Sequence, residues 1–205
     1  MIYLIVFLLL FLAILLYFKI ADRFNIIDKP NNRSSHSTIT IRGGGIVFYF
    51  AALMYFIWSG FQYPLFFIGL TLMAVVSFLD DVLTLSNKLR ISVHLISVML
   101  LFYQLDLFTW SWYFIPCLLF AVIGAINAYN FMDGINGITT AYSFVVLYLL
   151  WEANQQNAFI DNQLICFIAL GNLVFFLFNF RKKAKCFAGD VGSVSMSFII
   201  IFLLL

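Results

Sequence analysis

Charge is what this chain has least of. Only 10% of its 205 residues are Asp, Glu, Lys or Arg, while 64% are hydrophobic and the mean hydropathy is +1.06. A soluble domain of this length needs far more polar surface, so a water-soluble fold is excluded and an integral membrane protein is implied. Cysteine is also scarce. Cys117, Cys166 and Cys186 are odd in number and lack metal-ligand spacing, and two lie in apolar runs as small hydrophobes, so neither a disulfide framework nor a zinc site follows. With 2 histidines in the whole chain there is no Cys/His cluster for a soft or borderline metal. The first apolar run, Ile2–Phe18, has no basic segment before it and no small-residue cleavage site. Positive charge follows it instead, which reads as an uncleaved anchor and not a signal peptide.

What the chain does have is apolar length. Further runs occupy Gly43–Trp58, Pro64–Leu79, Ile91–Leu105, Trp112–Ala128, Ile138–Trp151, Asn162–Phe180 and Ser193–Leu205. Continuous apolarity favours helices over barrel strands, which would alternate. The expected fold is all-α: a polytopic bundle of about eight transmembrane helices forming a single domain over residues 1–205. Several runs fall short of the roughly 20 residues a span needs, so their helices should extend into the flanking polar motifs.

The scarce charge is unevenly spread. If the runs are successive spans, all 11 Lys and Arg residues fall on one side, in the first, third and seventh connections. The opposite connections carry Asp106, Glu152 and Asp161 and no cation. The positive-inside rule makes the cation side cytoplasmic and the amino terminus non-cytoplasmic.

Four polar constellations lie on that side. Asp80 and Asp81 close one run shortly before Lys88 and Arg90. Ionisable groups near bilayer depth are costly, so the pair suggests a use in metal or phosphate binding, with a solvated helix end as the plain alternative. The first connection, Asp28 to Gly45, offers Arg33, His36 and Arg42 to an anionic head group, and its glycines permit close backbone approach; an ordinary basic loop would look similar. Asn127, Asn130 and Asp133 recur every three residues along one side of a helix end before Gly134 and Gly137, suited to a hard cation or to interhelical hydrogen bonds. Gly189-Asp190-Val191-Gly192-Ser193 reads as a helix start capped by Ser193, with bare N–H groups for an anion and Asp190 for a metal. Oxygen donors without Cys or His point to Mg²⁺, or Mn²⁺, and a hard ion among cations points to phosphate or diphosphate chemistry.

In this order, Asp80-Asp81, Asn127-Ala-Tyr-Asn-Phe-Met-Asp-Gly-Ile-Asn-Gly137 and Gly189-Asp-Val-Gly-Ser193 resemble the polyprenyl-phosphate N-acetylhexosamine-phosphate transferases, and Asp28, Pro30, Arg33 and His36 match as well. The resemblance implies transfer of a sugar-phosphate from a UDP-sugar to undecaprenyl phosphate at the cytoplasmic face of the inner membrane. UMP would be released, as the first step of a cell-envelope polysaccharide. It implies Asp190 with Asn130 on Mg²⁺, and Asp80 and Asp81 as metal-binding or catalytic carboxylates. Lys88 would meet a phosphate, Asn127 and Asp133 the nucleotide side, and Asn136, Arg33 and His36 the substrate. The implied partners are undecaprenyl phosphate, the UDP-sugar and the lipid bilayer, without nucleic acid and with a homodimer left open. Ile39 and Ile41 stand where the family usually has prolines, which is expected to loosen the first loop, and Asn136 replaces a frequent acid. The family usually continues into further spans and a His-rich loop, so the chain is expected to be the amino-terminal part of a longer transferase, with weak or no turnover by itself. A transporter and a non-catalytic membrane segment are the rival readings.

Overall fold

The structure is a computed structural model that describes residues 1–28, 30 and 39–205. Among these residues are eight α-helices: α1 (Ile2–Phe24), α2 (Ile46–Trp58), α3 (Pro64–Leu83), α4 (Asn87–Gln104), α5 (Phe114–Met132), α6 (Ile138–Asn157), α7 (Asn162–Asn179) and α8 (Gly189–Leu204). Four of them, α1, α3, α5 and α7, are long and apolar enough to cross a membrane, and α2 and α8 are shorter apolar helices. The chain is an all-α membrane protein.

The helices do extend into the polar motifs. α1 continues past Phe18 through Lys19 and Arg23, whose long stems are good helix formers and can lie along apolar surface while their charges reach water. It stops at Asn25 in the left-handed conformation (φ 54°), with its N–H on the Ala21 carbonyl. α3 carries Asp80 and Asp81 on its last turn, and α5 carries Asn127 and Asn130.

α8 is the axis of the bundle. It packs on α2, α3, α5 and α6, and every residue from Val191 to Leu203 is buried. Phe66 of α3 stacks on Phe202 at 4.0 Å and on Phe198 at 5.8 Å. α7 packs against α1, α2 and α6 around the other side.

Successive helices alternate in direction, so the ends of α1, α3, α5 and α7 meet the starts of α2, α4, α6 and α8 at one end of the bundle. The contacts place all eight there: Asp81 with Val191, Arg90 with Asp190, Asn130 with Ser193, Gly45 with Ala188, Gly137 with Asn179 and Lys185 with Phe18. A short antiparallel ladder, β1 (Ile27–Asp28) with β2 (Thr40–Ile41), closes the same end. Ile41 is buried and its carbonyl accepts from the Phe187 N–H at 2.8 Å, so at this position the first loop is tied down, contrary to the expected loosening. Arg33 and His36 lie outside the described residues.

Candidate active site at the polar end of the bundle

The turn between α3 and α4 spans Thr84 to Ser86. Thr84 takes the left-handed conformation (φ 50°), and Asp80 Oδ1 accepts the Leu85 N–H at 2.6 Å. Ser86 then caps α4 by accepting from the Leu89 N–H. This tight reversal puts Arg90, in the first turns of α4, beside Asp80: Nη1 stands 2.9 Å from Asp80 Oδ2. The other arm of the same guanidinium reaches Asp190 Oδ2 at 3.2 Å.

Asp81 points the other way. Its side chain has 0% exposure, and Oδ1 lies 2.7 Å from Arg42 Nε. Oδ1 also accepts the Asp190 N–H at 3.0 Å, and Oδ2 the Val191 N–H at 3.1 Å. The start of α8 is therefore capped by a carboxylate from α3. The anion site expected at the Gly-Asp-Val-Gly motif exists, and Asp81 fills it; the positive end of the helix dipole favours that charge.

Ser193 is not the cap. α8 begins four residues earlier, at Gly189, and Ser193 lies within it, donating to the Gly189 carbonyl at 3.1 Å and accepting from Asn130 Nδ2 at 2.7 Å. The buried apolar face of α8 starts at Val191, and Asp81 supplies the capping oxygens, so the helix needs no hydroxyl of its own at this end.

Two glycine positions make this fit possible. Gly189 has φ +69°, and a Cβ there would stand 2.6 Å from Asp81 Oδ2. Gly45 accommodates α8 itself: a Cβ would stand 2.4 Å from the Gly192 Cα. The close approach expected of the first loop is thus to the start of α8, where Gly44 and Gly45 donate to the Phe187 and Ala188 carbonyls at 2.8 and 3.1 Å.

Asp190 joins the two ion pairs. Besides Arg90, it lies 3.8 Å from Arg42 Nη2 and accepts from Asn130 Nδ2 at 3.1 Å. Three carboxylates, Asp80, Asp81 and Asp190, thus share two guanidiniums, which leaves one negative charge in excess. Asp190 is the most exposed of the three, at 18% of its side chain against 9% and 0%. It borders a pocket of about 340 Å³ lined by Asn87, Arg90, Ile91 and His94 of α4 and by Ile123, Asn127, Asn130 and Phe131 of α5.

The predicted residues divide accordingly. Asn127, Asn130 and Asp190 meet at the pocket, and Asp80 reaches it through Arg90, whereas Asp81 touches neither pocket nor solvent. Asp133 turns toward α6 and takes the Thr139 hydroxyl. Burial raises its carboxyl above the ordinary carboxylate range, the Thr139 bond lowers it, and the charge of Asp190 raises it further. Asn136 donates to the Arg181 carbonyl at 2.9 Å, away from the pocket, and Lys88 is exposed outside it. Sequence reading missed Asn87 and His94, and noted Arg90 near the aspartates without giving it a role. Their signal was the spacing 87, 90, 91, 94, one face of a helix running from the Asp80–Asp81 turn.

Among the described residues no three His, Cys, Asp or Glu side chains gather as a metal cage. The donors fit a magnesium ion nonetheless: Mg²⁺ is commonly held by one or two carboxylates with the remaining positions left to water and phosphate. Asp190, with the carboxamides of Asn130 and Asn127 beside it and an uncompensated negative charge, is such a set.

The model of the family described as glycosyl transferase family 4 matches residues 63–205. The chain belongs to that family. It is similar to proteins named undecaprenyl-phosphate alpha-N-acetylglucosaminyl 1-phosphate transferase, at 30% identity in Escherichia coli strain K12 (96% of this chain, 59% of the relative) and 28% in Yersinia pestis (91% and 57%). A Bacillus subtilis strain 168 protein, named probable undecaprenyl-phosphate N-acetylglucosaminyl 1-phosphate transferase, is 25% identical over 89% of this chain and 55% of its own length. The chain thus spans somewhat more than half the length of these family members.

Proposed function

We propose that the protein is a Mg²⁺-dependent phosphoglycosyl transferase, moving an N-acetylhexosamine-phosphate from a UDP-sugar to undecaprenyl phosphate, with UMP as the leaving group. The reaction would face the cytoplasm at the inner membrane and begin a cell-envelope polysaccharide. The names of the relatives support the acceptor, and the gathering of all described Lys and Arg residues at the site end supports the orientation. One observation carries the chemistry: three carboxylates around two guanidiniums, one of the carboxylates open to a pocket lined by amides.

A bound Mg²⁺ would offset charge on the pyrophosphate, held by Asp190 with Asn130, and Mn²⁺ suits the same oxygens. Arg90, anchored by Asp80, presents its guanidinium at the pocket wall, where a phosphate oxygen can take it up. Asn127 and Asn87 offer carboxamides to the nucleotide-sugar, and Ile91, Ile123 and Phe131 form an apolar wall for the first units of a polyprenyl chain. Asp81 acts as a positioning residue: it fixes the backbone of Asp190, and through it the carboxylate that faces the substrate. Catalysis on this plan is mainly orientation and charge stabilisation.

The test is UMP release by membranes carrying the protein, supplied with UDP-N-acetylhexosamines, undecaprenyl phosphate and Mg²⁺. Release that falls by roughly 10²–10³ in Asp190→Asn, the scale for removing one preorganised electrostatic group, is expected. Release unaffected by Asp190→Asn would sink the proposal.

A further inference from the structure

A second concentration of charge sits at the same end of the bundle, away from the pocket. Arg181, Lys182, Lys183 and Lys185 follow α7 and are exposed, as are Lys19 and Arg23 at the end of α1. Among the described residues none of the six forms an ion pair, and the only carboxylate in these two segments is Asp22. The packing of α1 on α7 brings the segments together. Phe18 meets Phe178 edge to face at 5.1 Å, Lys185 Nζ lies 5.2 Å from the Phe18 ring centre, and Arg181 Cζ lies 5.7 Å from that of Phe178. Arg181 is further fixed by its Nε bond to the Leu177 carbonyl at 2.8 Å.

Below the charges runs a line of rings. Phe178 contacts Phe11 at 5.5 Å, and Phe11 contacts Phe7 at 6.1 Å, each a turn further from the charged end and only half-buried. A cationic collar above an aromatic seam in a membrane protein matches a molecule with an anionic head and an apolar tail. We propose that the α1–α7 seam binds an anionic glycerophospholipid, its phosphate against Arg181 and Lys185 and one acyl chain along the half-buried rings of Phe11 and Phe7. Charge complementarity selects the occupant: basic pockets between membrane helices take anionic head groups, each cation contributing about fivefold in affinity. A zwitterionic lipid gains no net attraction there, and a free phosphate makes no use of the rings.

The test is thermal unfolding of the delipidated full chain in neutral detergent, titrated with phosphatidylglycerol, with phosphatidylcholine of the same chains, and with inorganic phosphate. Phosphatidylglycerol should raise the midpoint saturably while the other two do not. Arg181→Gln with Lys185→Gln should weaken the half-saturating concentration roughly 25-fold. Lys185→Gln alone keeps the Arg181 contact to the helix end, guards against misfolding of the double variant, and should weaken it about fivefold. No shift with phosphatidylglycerol, an equal shift with phosphatidylcholine, the same shift with phosphate alone, or an unchanged titration in the variants would each overturn the proposal.

Discussion

Two aspartates cap helices at opposite ends of this bundle, and they do it in different company. Asp161 caps its own helix, α7: it accepts the Gln163 N–H at 2.9 Å and, from α2, the Tyr55 hydroxyl at 3.1 Å, both neutral donors. Asp81 caps α8 from α3, 109 positions away in sequence, and its remaining capacity goes to the Arg42 guanidinium. At one end, then, a carboxylate caps its own helix and is settled by neutral donors, without a cation. At the other, carboxylates are shared between helices through guanidiniums, and one charge stays uncompensated. The presence of acids does not distinguish the site end; the way they are satisfied does.

The contrast can be broken by substitution. Asp81→Ala should have the largest effect, about 2–4 kcal/mol of stability, because it leaves two N–H groups of α8 unpaired around a buried vacancy and strands a partly exposed Arg42. Denaturant unfolding in detergent measures it, and a loss under about 1 kcal/mol would remove the distinction from Asp161. Gly45→Ala should follow, at about 1–3 kcal/mol, since the added methyl must push α8 away from the first loop. Its midpoint should fall even though no charged group has changed. Arg90→Lys keeps the charge but cannot span Asp80 and Asp190 with two arms. With the arginine side chain 28% exposed, the cost should be about 1 kcal/mol, read from the same unfolding curves. Asp161→Asn should do least, a few tenths of a kcal/mol, because asparagine caps about as well and no cation is left behind. A large loss there would mean that charge matters equally at both ends.

Much of this was legible in the residues. Apolar runs and the one-sided Lys and Arg marked the helices and the polar end, since both follow from the cost of burying charge in lipid. The Asp190 and Asn130 pairing was legible only through the family resemblance, which brings their two motifs together. The division of labour between Asp80 and Asp81 was not: adjacent residues on a helix point about 100° apart, and which direction meets α8 depends on packing between elements a hundred residues distant. Ser193 misled for a related reason. A serine before an apolar run is a good local cap, yet a carboxylate from another helix had already taken the role and let α8 begin at Gly189. Lys88 drew attention over Arg90 because the resemblance assigns it a phosphate, whereas the helical turn brings Arg90 back to Asp80.

The span between Asp81 and its partners also has a consequence in time. A ribosome adding 5–20 residues per second needs roughly 5–20 s to travel from Asp81 to Asp190. Throughout that interval α3 through α7 can enter the membrane while Asp81 has no helix to cap. The candidate site therefore assembles only once α8 has been made, when that helix arrives and closes onto a carboxylate that has been waiting for it.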